Sequence, residues 1–458
     1  MNSLRFKSKE ELITGSVYRH LLRLAIPMII GFFFITSYNF IDRFFVSRLG
    51  DLATAAIGMA FLVQLVIISL GSGIGIGVNS YISRNLGAGN EDEAIDTALH
   101  TFLLAISIGI AFSIIGILTQ RALFTILGAD GELLNLIIDY LTIIFVFTPI
   151  VLLSSFSNGI FQGWGDTVSP MKFMMVGTIL NMILDPILIF GLGPIPSLGI
   201  KGAALASGLG RSIALLFTLF VLLIQKKPVQ LLVSKFKFRW KIVKGIFQVG
   251  IPSSLSQIFT SIVMGTIFLI LKPFGSEAKA AYTIVFTYEI VVFLPAIGFS
   301  QAVTIMTGHN FGARIIERIR EIHSKGIILS FFFMAVSSII IMIFPKTFAG
   351  VFAQSESVLE ITSTALRITA FGSMFISIYI CSTASFQGLG LGRQYLLANI
   401  LRMFILQVPV AFLGSLVLGL NGIWLGLMIV NIFSGIIIYA WFKYIFKKKI
   451  FTDEISPL

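Results

Sequence analysis

The sequence predicts an all-α membrane protein: twelve transmembrane helices arranged as two parallel six-helix repeats. Three observations carry that prediction. The 458 residues are 56% hydrophobic and only 12% charged; the apolar residues fall in long continuous runs; and several motifs recur at one constant offset. A soluble domain is about 25% charged. Half that density cannot cover a water-exposed surface, which excludes a soluble enzyme, a nucleic-acid binder and a disordered chain. One span needs about 20 apolar residues, and roughly 256 of the 458 residues are apolar, enough for about twelve. The net charge of +12 is what an excess of Lys and Arg in cytoplasmic loops produces, so no nucleic-acid partner is expected.

The elements follow in order. Residues 1–20 are polar and charged and are expected to form a cytoplasmic N-terminal segment. The first apolar run is too long for a signal peptide and is not followed by a small-residue cleavage pattern, so it reads as a retained span. Spans are predicted at 21–46, 53–80, 97–119, 134–161, 170–192 and 199–224, forming a first lobe over 21–224. A basic cytoplasmic linker, 225–245, follows. Spans at 246–271, 280–306, 325–345, 358–384, 395–418 and 420–442 form a second lobe over 246–442, and 443–458 is a cytoplasmic tail. The runs are continuous rather than alternating, which argues against a β-barrel. Helices are the remaining way to satisfy a backbone in lipid.

With twelve spans, both termini share a side. That side carries 22 Lys and Arg, the opposite loops 6, so the termini are expected in the cytoplasm. The linker holds Lys226, Lys227, Lys235, Lys237, Arg239, Lys241 and Lys244. It fixes topology, and anionic lipid head groups are its other candidate partner.

The halves repeat at an offset of 225 residues. Ile26-Pro27 falls on Ile251-Pro252, Asn85-Leu-Gly87-Ala88 on Asn310-Phe-Gly312-Ala313, and Phe161-Gln-Gly-Trp-Gly165 on Phe386-Gln-Gly-Leu-Gly390. Apolar composition does not generate such motifs at one offset. Six spans separate the copies, so both begin on the same side. They are parallel repeats about an axis along the membrane normal, an arrangement found in transporters.

Ionisable residues inside spans are costly and mark function by default. Asp42, Asp185 and Glu289 lie well inside spans, and Asp139 lies near the start of the fourth. Tyr38 is four residues before Asp42 and Asn181 four before Asp185, so each pair shares a helical face. That spacing brings the Tyr38 hydroxyl within reach of the Asp42 carboxylate. At 1.5 Å per residue, Asp42 is about 30 Å and Asp185 about 22 Å from the cytoplasmic ends of their spans. Both sit in the outer half of the first lobe. Pro186 frees a backbone carbonyl beside Asp185. The same ruler puts Asn158 near the cytoplasmic end of its span. Ser207 is a further oxygen ligand candidate, or a small residue at a helix interface. Glu289 and Asp42 have no acidic counterparts across the repeat, where Gln64 and Ile267 stand. The lobes therefore match in fold and differ in charge.

Other motifs carry no chemistry. Gly71-Ser-Gly-Ile-Gly-Ile-Gly77 lies inside an apolar span, and Gly73 and Gly77 read as a close-packing face. No Walker sequence for ATP is present. The four histidines form no metal-binding pair, and Cys381 is the single cysteine. No catalytic residues and no enzyme activity are expected.

The ordered motifs resemble the multidrug and toxic compound extrusion (MATE) family over nearly the whole chain. They are Pro27, Asp42 before FFVSRLG, Asn85-Leu-Gly-Ala-Gly89, Phe161-Gln-Gly-Trp-Gly-Asp166, Asn181 with Asp185-Pro186, and Gly199-Ile-Lys-Gly-Ala-Ala204. Glu289 ahead of Leu294-Pro295-Ala296, and His309-Asn-Phe-Gly-Ala313, complete them. The resemblance implies a two-lobed, cation-coupled antiporter that exports organic, often cationic and amphipathic, drugs or toxins by alternating access. It implies H⁺ or Na⁺ at Asp42, Asn158, Asn181 and Asp185, with Glu289 as a second-lobe site. No cofactor is implied beyond the coupling ion. The expected setting is the bacterial or archaeal plasma membrane, the lipid bilayer its surroundings, small organic molecules its partners and a monomer its state. Two positions depart from the family pattern: Arg43 follows Asp42, and Thr287 stands where an arginine often precedes the second-lobe glutamate. The alternative is a flippase for lipid-linked saccharides from the related superfamily. Its pyrophosphate cavity needs embedded bases, for which Arg23, Arg43, Arg211, Arg367 and Arg402 are the candidates.

Overall fold

The computed structural model describes residues 10–222 and 236–450, apart from the side chains at 39, 40, 43, 449 and 450. Lys226, Lys227 and Lys235 of the linker, the start of the N-terminal segment, the end of the C-terminal tail and the Arg43 side chain lie outside this set.

Helices make up the described chain in the predicted order: α1 Glu10–Ile13, α2 Val17–Ser47, α3 Asp51–Gly87, α4 Glu91–Ile126, α5 Gly131–Gly163, α6 Val168–Phe190 and α7 Ile200–Phe220. After the linker come α8 Trp240–Ile270, α9 Gly275–Gly312, α10 Ile316–Ile343, α11 Pro345–Gly350, α12 Glu356–Gly388, α13 Gly392–Ile400 and α14 Val408–Ile445. Most spans run several residues past their apolar stretches. Asp51 begins α3 and Glu91, Asp92 and Glu93 begin α4, where acidic groups favour the helix N-terminus. Trp240, Lys241 and Lys244, read as linker, belong to α8.

Eleven described helical segments are long and apolar enough to cross a membrane. The last, Gly392–Lys448, has 57 residues, about 86 Å of helix against a core of about 30 Å. It is two spans. Gly419 breaks it, with φ 60° and ψ −141°, a conformation essentially reserved for glycine. The chain then doubles back: a Cβ placed on Gly414 would lie 2.2 Å from the Gly422 carbonyl oxygen. In one continuous helix those residues would stand about 12 Å apart. The predicted boundary between 418 and 420 thus falls on the turn, and twelve spans result.

The described residues form two compact units. One comprises Ile30–Ile82 and Asn90–Ser254. Here α5 packs against α4 and α7, and α6 against α7. Gly73 and Gly77 behave as a close-packing face: a Cβ on them would meet Ser254 Oγ and the Ile246 carbonyl within 2.3 Å. The linker end also docks here. Arg239 pairs with Glu93 at 2.5 Å and Asp96 at 2.7 Å, and its N–H donates to His100 Nε2 at 2.8 Å. That basic residue is held by protein carboxylates.

The other unit comprises Met1–Ile29, Ser83–Gly89 and Leu255–Leu458. Its centre is α12, packed against α9, α10 and α14 around buried Phe311, Phe386 and Trp424. The repeated Asn-x-Gly-Ala motifs meet within it. A Cβ on Gly87 would lie 2.0 Å from the His309 oxygen, and one on Gly312 equally close to the Arg84 oxygen. The two copies thus pack reciprocally, each glycine admitting the other helix's backbone.

Candidate functional site

The carboxylate cluster forms inside the first of these units. Asp185 is fully buried on α6, and Asn181, one turn earlier, is 3% exposed. The Asn181 amide satisfies both its ends when its nitrogen faces Asp185. It then donates to Asp185 Oδ2 at 3.0 Å and accepts the Ser207 backbone N–H at 3.0 Å. The network decides such an orientation. Ser207 on α7 also shares a 2.7 Å hydrogen bond between its Oγ and Tyr38 Oη. A polar chain therefore runs from α2 through α7 to α6: Tyr38, Ser207, Asn181, Asp185. Gly210 makes room for it, since a Cβ there would come within 3.3 Å of Asn181 Cβ.

Asp42 stands one turn beyond Tyr38, and its charge acts on Tyr38, Tyr140 and Asp185. The expected Tyr38–Asp42 hydrogen bond is not formed. Two side chains at i and i+4 share a face, but the phenol is long enough to pass its neighbour's carboxylate and reach the next helix. Two carboxylates in one electrostatic neighbourhood, one fully buried, can trade a proton or share a small cation. Neither binds both charges of the pair without cost.

Three participants were not legible in the sequence. Gln64 on α3 donates to Tyr140 Oη on α5 at 2.8 Å. Arg211, one turn after Ser207 on α7, acts on both tyrosines. Tyr38, Gln64, Phe147, Ser207 and Arg211 line a small cleft. The spacing of Ser207 and Arg211 was the available signal for the arginine; nothing in the sequence pairs Gln64 with Tyr140.

Asn158 is the sequence-predicted ligand on α5. It lies five residues from the end of α5, and Asp185 lies 17 residues from the start of α6. Asn158 Oδ1 is buried and without a partner among the described residues. Asp139 is not embedded either: it pairs with Lys201 at 3.2 Å, both side chains about half exposed.

Glu289 sits on α9 in the other unit. Its charge acts on Tyr282 and Arg402. The arginine from the last quarter of the sequence is thus the basic group nearest to it in effect, in place of the one absent at Thr287.

Known proteins match this arrangement. The MatE family model matches residues 27–187 and 252–413, two copies at the 225-residue offset of the repeat. A protein of Shewanella oneidensis MR-1 named "FAD transporter" is 30% identical over 444 residues, 94% of this chain and 96% of its own length. The multidrug export protein MepA of Staphylococcus aureus N315 is 28% identical over 90% of each chain. A solved structure of an outward-facing multidrug resistance MATE family transporter of the MOP superfamily superposes with a TM-score of 0.92. It is 31% identical and covers 97% of this chain and 99% of its own. The repeat, the twelve spans and these matches agree: the chain belongs to the MatE family of multidrug efflux transporters, multi-pass membrane proteins rather than enzymes.

Proposed function

We propose that the protein is a secondary active antiporter, exporting small organic molecules in exchange for H⁺ or Na⁺ by alternating access. The observation that carries this reading is the chain Tyr38–Ser207–Asn181–Asp185, with Asp42 in electrostatic reach. Charged groups at such depth in apolar helices are retained for ion handling. Coupling needs only one two-state bundle in which cation and cargo favour different states. A cation on Asp42 and Asp185 removes their repulsion and allows the bundle to close around them. Its absence leaves them open to solvent and the cargo cleft available. Asp42, Asp185, Asn181, Ser207 and Tyr38 are the proposed cation-coupling residues. Asn158 on α5 is a further proposed ligand, which Na⁺ would use together with Asp42, Asn181 and Asp185.

We place both termini in the cytoplasm of a plasma-membrane monomer, on the excess of Lys and Arg in the loops of that side. The flippase alternative is weaker. Of the arginines its cavity would use, Arg23 pairs with Glu11 at 2.7 Å. A second reading within export comes from the relative named as a FAD transporter: the cargo includes nucleotide-like anions as well as drugs.

The test is efflux of a fluorescent dye from right-side-out vesicles with an inward pH gradient or an inward Na⁺ gradient imposed one at a time. Acceleration by one of them supports antiport. Equal, gradient-independent efflux contradicts it.

A further inference from the structure

Arg402 lies on a seven-residue π-helical stretch, Leu401–Gln407, between α13 and α14. Such wide turns occur mainly at functional sites, and an arginine inside a membrane-spanning segment requires a reason. Its Nη2 donates to Asn431 Oδ1 at 2.9 Å, and its guanidinium rests 5.1 Å from the Tyr379 ring centre. Asn431 is a neutral partner for one of five N–H donors. The buried Nε has no acceptor, and no ion pair joins Arg402 to a carboxylate among the described residues.

One neighbour repeats this pattern. Tyr379 on α12 is 5% exposed, and its Oη has no hydrogen-bond partner among the described residues. Trp424 on α14 is fully buried in the core of the same unit, its ring stacked on Tyr282. Buried donors in native proteins are satisfied in about nine cases of ten. A guanidinium N–H and the phenol packed against it, both without acceptors among the described residues, point to an acceptor-rich group that the protein does not itself supply. Glu289 acts on Arg402 through the field, with no ion pair between them among the described residues, so it partly balances the guanidinium charge and opposes an arriving anion.

We propose that Arg402 and Tyr379 form a binding site for the carboxylate or phosphate of an anionic aromatic cargo molecule, with Asn431 positioning the guanidinium. The planar fork of arginine matches both groups, and the surrounding aromatic rings take the flat part of the ligand. The inference rests on the transporter reading and assigns a binding site to the anionic part of its cargo.

The test is binding, with no gradient present, so its failure is separate from failure of antiport. Riboflavin 5′-phosphate and riboflavin share one ring system and differ by the anion. Each is titrated by flavin fluorescence against the full-length protein in neutral-lipid nanodiscs. The wild type is expected to bind the phosphate ester more tightly. Arg402→Gln is expected to weaken that ester by about tenfold or more and to leave riboflavin unchanged. Tyr379→Phe, a milder change in case Arg402→Gln fails to fold, is expected to weaken the ester alone. Glu289→Gln is expected to tighten it. Equal affinity of the two flavins for the wild type, or equal loss of both in the variants, would overturn the proposal. So would displacement of the ester by added phosphatidylglycerol, which would assign the site to a lipid head group. Weakening by Glu289→Gln would overturn it too, by making the glutamate and arginine a structural pair.

Discussion

Asp185 illustrates how far a single residue can be read. Its place in an apolar run marks it as a functional candidate, and Asn181 four residues earlier marks a shared face; the structure shows that face and adds Ser207 as the link to Tyr38. Local spacing is visible in sequence because helical geometry fixes it. Contacts between helices are not, which is why Gln64, Tyr140 and Arg211 emerged only from the fold and why Tyr38 reached past Asp42. The same limit applies to Asn158: its family position suggested a ligand, and the structure leaves its buried Oδ1 without a hydrogen-bond partner among the described residues. Two predictions belong at this scale. Asp185→Asn is expected to lower gradient-driven efflux by about tenfold or more, and Asn181→Ala less, since the first removes the charge that binds the cation and the second only a neutral ligand. Efflux at matched expression checks the order; a reversed order would contradict the shared-cation site. Glu289→Gln is expected to reduce efflux less than Asp42→Asn, because Glu289 has no second carboxylate acting on it among the described residues and lies in the other unit. A dead Glu289→Gln beside an active Asp42→Asn would move the coupling site to α9.

At the scale of elements, apolar length located every span, and its errors were all at the ends. Charged helix termini such as Glu91–Glu93 and Lys241 belong to the helices by backbone hydrogen bonding, a criterion that hydropathy does not register. The last two spans are the informative case. No polar segment separates them, and a single glycine makes the turn. Gly419→Ala is therefore expected to destabilise the protein by about 1–3 kcal/mol, because an L side chain is forced into a glycine conformation. Thermal or denaturant unfolding in detergent measures it, and an unchanged midpoint would show that the turn tolerates a Cβ. Proline gives no such signal: Pro27, Pro149, Pro186, Pro252 and Pro295 all lie within helices, where neighbouring helices can compensate the lost hydrogen bond.

For the molecule as a whole, the repeat and the asymmetry of basic residues were legible because both are properties of the entire chain. The 225-residue offset returned in the family match and in the reciprocal Gly87 and Gly312 contacts. Which charges the second half would bring together was not legible, since Glu289 and Arg402 are 113 residues apart. Topology has a direct check. Cys381 is buried, so the native thiol gives little background to an impermeant thiol reagent. In intact cells, Lys272→Cys is expected to label and Arg393→Cys to label only after permeabilisation; the opposite pattern would invert the orientation. The central claim is that Asp42 carries the coupling charge. It is tested most directly by reconstituting wild type and Asp42→Asn at equal density and imposing the pH and Na⁺ gradients separately. The account predicts that one gradient accelerates dye transport by the wild type and leaves Asp42→Asn at its ungraded rate, with flavin binding retained. Equal acceleration of both proteins would contradict it.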